Sequence, residues 1–205
     1  MSGNYDVASD AARRLQEHAH SEIFVATPLR VLARFARWDQ VLRLPPPSPE
    51  FRGVVFLWRC VRGVALAREG RVSEAEEERA AMERSYKDLS PGRAFGTFFN
   101  DWSAIHTLAA ESVDARIAIG RADLLSALGH WRAAVGSQDE LNFDDVPEWY
   151  YPIRESLGGT PLRLGRSHDA EQFFREDLAR NPRTPGRSLD SSSPLRRKNA
   201  RMRPV

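Results

Sequence analysis

Apolar and small residues recur along the chain in paired helical segments. The pattern is clearest over residues 149–182, WYYPIRESLGGTPLRLGRSHDAEQFFREDLARNP. Gly165 follows Gly158 by seven residues, Ala170 comes five later, Phe174 four beyond it, and Pro182 closes the unit. This spacing predicts a helical hairpin. Gly158 lets a second helix come close, Gly165 supplies a turn at positive φ, and Ala170 with Phe174 shares one face four residues apart. Pro182 cannot continue a helix.

The spacing repeats. Gly63, Gly70 and Ala75 copy Gly158, Gly165 and Ala170 at an offset of 95 residues. Ala36 takes the turn position 34 residues before Gly70, with Val41 in the alanine place and Leu29 in that of Gly158. Pro45, Pro46, Pro47 and Pro49 predict a short second helix there. In the third unit Gly129 reads as the turn, with Ala134 five beyond it and Ala122 seven before. Gly3 and Ala8 suggest the second helix of a repeat whose first helix is missing, so the chain is expected to start mid-repeat. The expected plan is a half-repeat over 1–18, repeats over 22–48, 51–89, 104–142 and 148–182, and an aromatic insertion at 87–107. Residues 183–205 are expected to be a disordered basic tail, where a repeat array would normally carry a capping helix. We therefore expect a truncated or replaced C-terminus, and an ill-covered outer face around Phe173 and Leu178.

RFARWDQVL, RGVALAREGRVSEAEEE and LRLGRSHDAEQFFREDLARNP resemble the tetratricopeptide repeat (TPR) family, in particular bacterial proteins built of such repeats alone. The likeness covers residues 3–182 and implies a fragment of an all-α, right-handed α-solenoid of antiparallel helix hairpins. Four residues depart from the pattern: Arg79 stands where an aromatic is usual, Thr160 and Pro161 lie inside a first helix, and Asp177 takes a packing position that usually holds a small apolar residue.

No run of 18 apolar residues or signal-peptide core is present, so no membrane association and a cytoplasmic setting are expected. The net charge is +2. The last 23 residues hold seven bases (Arg183, Arg187, Arg196, Arg197, Lys198, Arg201, Arg203) and one acid, Asp190, a charge of +6 that leaves −4 on residues 1–182. A mildly acidic body does not predict nucleic-acid binding.

Candidate chemistry is sparse. Cys60 is the only cysteine and reads as a packed small hydrophobe. His18 and His20 are too few for a metal site. No catalytic, cofactor or metal residue is assigned, and the chain is not read as an enzyme. The resemblance implies a partner protein or peptide on a concave face of first helices, three before, one after and four to five after Leu29, Gly63, Ala122 and Gly158. That assigns Arg30, Arg34, Arg68, Asp123, Glu155 and Arg163 as partner-binding residues, the arginines gripping acidic groups. The expected function is a protein–protein interaction scaffold. The alternative is a recognition or regulatory domain of a larger enzyme, and uncapped repeat ends leave self-association open.

Overall fold

The computed structural model describes residues 2–18, 21–96, 100–142, 149–163, 168, 171 and 175. The chain divides into two compact units, Met1–Tyr151 and Pro152–Val205. The described residues form helices and no strand beyond one isolated bridge, Arg93 with Asp101. In the first unit these are α1 (Ser2–His18), α2 (Glu22–Val25), α3 (Thr27–Arg34), α4 (Trp38–Arg43), α5 (Arg52–Arg68), α6 (Val72–Lys87), α7 (Trp102–Gly120) and α8 (Leu124–Asp139). No helix among the described residues is long and apolar enough to cross a membrane.

Three hairpins, α3–α4, α5–α6 and α7–α8, share one turn. Ala36, Gly70 and Ala122 sit at φ 54°, 78° and 60°. The next residue in each case, Arg37, Arg71 or Asp123, donates its N–H five residues back, to Leu32, Leu66 and Ala118, at 2.9, 3.0 and 2.9 Å. This is the Schellman end of a helix, and each second helix begins one residue later. The first two turns fall where the spacing places them; the third does not. Gly129 lies inside α8, and the turn is Ala122, seven residues earlier. Alanine carries no turn signal in a sequence, whereas a glycine letter does, even when it sits on an exposed helix face. Gly3 likewise lies within α1 and is not a turn residue.

With the third turn moved, the three hairpins align. Five residues after each turn stand Val41, Ala75 and Ala127, all 0% exposed. Seven before stand Leu29, Gly63 and Ala115, all buried. At Gly63 the helices come close enough that a Cβ would meet Val113 Cγ1 at 3.3 Å and the Ala75 carbonyl at 3.6 Å.

The first helices pack in series, α3 on α5 and α5 on α7, and each second helix also touches the following first helix, α4 on α5 and α6 on α7. As a result α5 is buried almost all round. α1 packs on α3; its Tyr5 donates to Gln40 at 2.8 Å and meets Phe35 edge to face at 5.5 Å. Glu22 of α2 accepts the Gly53 N–H at 3.1 Å, so one helix supplies the N-terminal cap of another. Burial raises the pKa of that carboxyl, against the lowering effect of the Gly53 hydrogen bond. α4 ends as its prolines require, with Leu44 extended at ψ 133° before Pro45.

The connection between α6 and α7 holds a single helical turn, Ala94–Gly96. Phe95, at φ 51°, is 3% exposed and lies 4.7 Å from the Trp102 ring. Asn100 closes the connection against the end of α8: its side chain donates to the Asn142 carbonyl at 3.2 Å and accepts the Asn142 N–H at 2.8 Å.

In the second unit, α9 (Arg154–Arg163) contains Pro161 within its last turn. Leu157, Gly158, Thr160 and Pro161 are buried. The expected second helix of this hairpin, its Phe173 and Leu178, and the basic tail lie outside the described residues.

Candidate functional site

The resemblance to tetratricopeptide repeats points to the first-helix face as the surface to inspect for a partner. With the third turn corrected, its positions are Ala26, Arg30, Ala33 and Arg34 on the first hairpin, and Cys60, Val64, Ala67 and Arg68 on the second. On the third they become Ser112, Arg116 and Ile119. Asp123 drops out: it is the N-cap of α8, its carboxylate accepting the Ser126 N–H at 3.0 Å and the Ser126 hydroxyl at 2.6 Å. These bonds hold its pKa below the usual aspartate range. Glu155 and Arg163 belong to the second unit, as the second and last residues of α9.

Much of this face is covered by the chain itself. Ala26, Cys60 and Ser112 are fully buried, and Val64 and Ala67 nearly so. Arg30, 6% exposed, has its guanidinium 4.5 Å from the centre of the Phe95 ring, a cation–π contact strengthened by burial. A second buried aromatic segment is residues 149–151. Trp149 and Tyr150 are 4% and 8% exposed, and the three rings follow one another at 5.0 and 4.9 Å. Gln138 of α8 donates to the Tyr151 carbonyl at 2.9 Å. Tyr150 is buried, and its phenol has no hydrogen-bond partner among the described residues. Burial drives its pKa well up, with Tyr151 and Cys60 adding to the rise and Arg116 opposing it.

Buried indole N–H groups without a hydrogen bond among the described residues include those of Trp38, Trp58 and Trp131. The Tyr150 hydroxyl and the Trp149 indole N–H are buried without a partner among the described residues. Each such group costs about 1–3 kcal/mol.

The open part of the face is the C-terminal end of the first helices. Arg34 and Arg68 are the last residues of α3 and α5 and hold the same place in successive hairpins. Arg68 is exposed, with its guanidinium 5.4 Å from the Trp38 ring centre. Arg116 stands 4.8 Å above the Trp131 ring. Cys60 itself offers no nucleophile, because burial pushes its pKa up to about 12.

Away from this face, a polar network joins α6 to α7. Arg79 grips Asp114 with two nitrogens at 3.0 and 3.1 Å and also pairs with Glu83. Glu83 meets His106 at 2.8 Å, and His106 stacks on Tyr86 with ring centres 3.9 Å apart. Burial works to raise the Glu83 pKa, but the hydrogen bonds from His106 and Arg79 prevail and lower it. The sequence flagged Arg79 only as a departure from an aromatic; its partner Asp114 carried no signal. A cleft of ≈ 240 Å³ is lined by Pro49, Arg52, Val55, Ser85 and Asp88. Arg52 donates to the Asp88 carbonyl at 2.9 Å and the Ser85 hydroxyl to Ala81 at 3.0 Å, so neither polar group is aimed at a ligand. No three His, Cys, Asp or Glu side chains converge as metal ligands among the described residues.

No family model, curated protein or solved structure matches the chain.

Proposed function

We propose that this chain is a tetratricopeptide-like right-handed α-solenoid that acts as a non-catalytic scaffold and holds a protein or peptide on its first-helix face. The observation that carries the reading is the repeated turn. Three successive hairpins share one Schellman geometry, with small or apolar buried residues seven before and five after it. Second helices that also pack on the next first helix are what stacked repeats require, since one hairpin cannot bury its own apolar face. Arg34 and Arg68 give the open end of the face two cations in register, suited to bidentate contacts with carboxylates.

The test is selection of peptides from a random displayed library against the full chain, followed by anisotropy titration. Acidic peptides should be enriched, and Arg34→Ala with Arg68→Ala should weaken them about tenfold or more. Binding unchanged by the double substitution, or no peptide above background, overturns the reading.

A further inference from the structure

Helix α1 packs on α3 and α2, burying Ala12 and half-burying Tyr5. Its outer side is apolar. Val7 is 73% exposed and Leu15 45%, with Ala11 exposed midway between them. At about 100° per residue these three fall within roughly 80° of one another, so they form one stripe. Single exposed apolar residues are ordinary; two large ones on one stripe are not. One flank of the stripe is charged, and its charges are sorted along the helix. Asp6 and Asp10 lie toward the N-terminus, Arg13 and Arg14 toward the C-terminus. Asp10 pairs with both arginines within the helix, at 2.6 and 2.7 Å. Such exposed pairs are weak and free to be shared.

We propose that α1 is a homodimer surface, on which α1 of a second copy seats antiparallel about a two-fold axis at Ala11. The argument is self-complementarity. A two-fold axis pairs residue i with j and j with i. With the axis at Ala11, Val7 opposes Leu15 of the second copy, Leu15 opposes its Val7, and two alanines meet at the centre. Like flanks face each other in an antiparallel pair, so Asp6 and Asp10 meet Arg13 and Arg14 of the second copy at both ends. A parallel pair would set acid against acid and base against base. The charges fix direction and register, while the stripe supplies the affinity. One helix from each copy makes a small contact, in the weak and transient class. The proposal does not depend on which face of the hairpins holds a partner.

The experiment is sedimentation equilibrium of the full-length chain from about 10 μM to about 1 mM. A monomer–dimer equilibrium with a Kd on the order of 0.1 mM is expected for so small a contact. Ala11→Glu, at an exposed position, puts two acids on the axis and should weaken the dimer at least about tenfold. Two charge reversals follow, each checked for native circular dichroism. Asp6→Lys with Asp10→Lys makes the flank wholly basic; Arg13→Glu with Arg14→Glu makes it wholly acidic. Each alone should be monomeric over the same range. Mixed in equal amounts they should form a heterodimer about tenfold tighter than the native dimer, lost in high salt. The proposal is overturned if the native chain stays monomeric at about 1 mM, which would leave the stripe to a foreign helix. It is also overturned if Ala11→Glu leaves the dimer unchanged, or if the mixed reversals associate no better than either alone. Sedimentation reads α1 and peptide selection reads the first-helix face, so either can fail alone.

Discussion

Two of the three hairpin turns place an alanine where glycine is the natural residue. Ala36 and Ala122 hold φ of 54° and 60°, a conformation that costs an L-residue about 1–2 kcal/mol. Glycine gives back part of that gain through the freedom it has when unfolded. Ala122→Gly should therefore raise stability by roughly 0.5–1 kcal/mol, read as a higher urea midpoint. Gly129 is the converse case. It is exposed inside α8, and a Cβ there would meet nothing within 4 Å. Gly129→Ala should stabilise by about 0.5–1 kcal/mol; if Gly129 were the turn, the same change would destabilise. The seven-residue error in the third hairpin came from weighing the letter glycine above the periodicity around it. Because of that error the Asp123 assignment moved from a binding face to a helix cap.

At the scale of elements, the departure of Arg79 from the repeat pattern has a cause. Its guanidinium ties α6 to α7 through Asp114 and Glu83. A repeat consensus would favour an aromatic there, yet Arg79→Phe should cost about 1.5–3 kcal/mol by leaving two half-buried carboxylates short of a charged partner. Urea denaturation of that variant decides between pattern and pairing. Acid should act on the same bridge. Because the folded pKa of Glu83 is depressed, its contribution is fully present above the ordinary glutamate value and is lost as pH falls through the lower folded one. The urea midpoint should fall as pH drops from about 5 to about 3. Glu83→Gln should flatten part of that fall, the rest belonging to other carboxylates held low, such as Asp10 and Asp123. That the chain forms packed helix pairs was legible, with α5–α6 and α7–α8 falling near 51–89 and 104–142, although the α7–α8 boundary was misplaced at Gly129. The bridge was not, because pairing between helices leaves no period in a single sequence.

For the molecule as a whole, helices that pack in series imply uneven stability. α5 has neighbours on both sides, in α4, α6 and α7, while α1 keeps Val7 and Leu15 73% and 45% exposed. Hydrogen exchange should be slowest for the amides of α5 and α7 and much faster for α1 and α4. Equal protection throughout would contradict a serial arrangement. The proposed interaction face was only half legible. Arg34 and Arg68 stand at its open end. That the aromatic insertion at 87–107 would pack on the helices was legible from its composition, but nothing in the periodicity said that Phe95 would meet Arg30, since irregular segments have no period to read.

The turns at Ala36, Gly70 and Ala122 lie 34 and 52 residues apart, yet the buried positions seven before and five after each are kept. Distance along the chain is therefore free to drift between hairpins but not within them. Over generations such a chain can lengthen or shorten at the 44–51 and 88–101 connections without resetting its register, provided the Phe95 and Asn100 contacts survive. A single residue gained inside residues 34–38 or 68–72 would rotate a whole helix by about 100°. Comparing naturally varying copies of this gene should show length differences gathered at the connections, and the three-residue turns held constant.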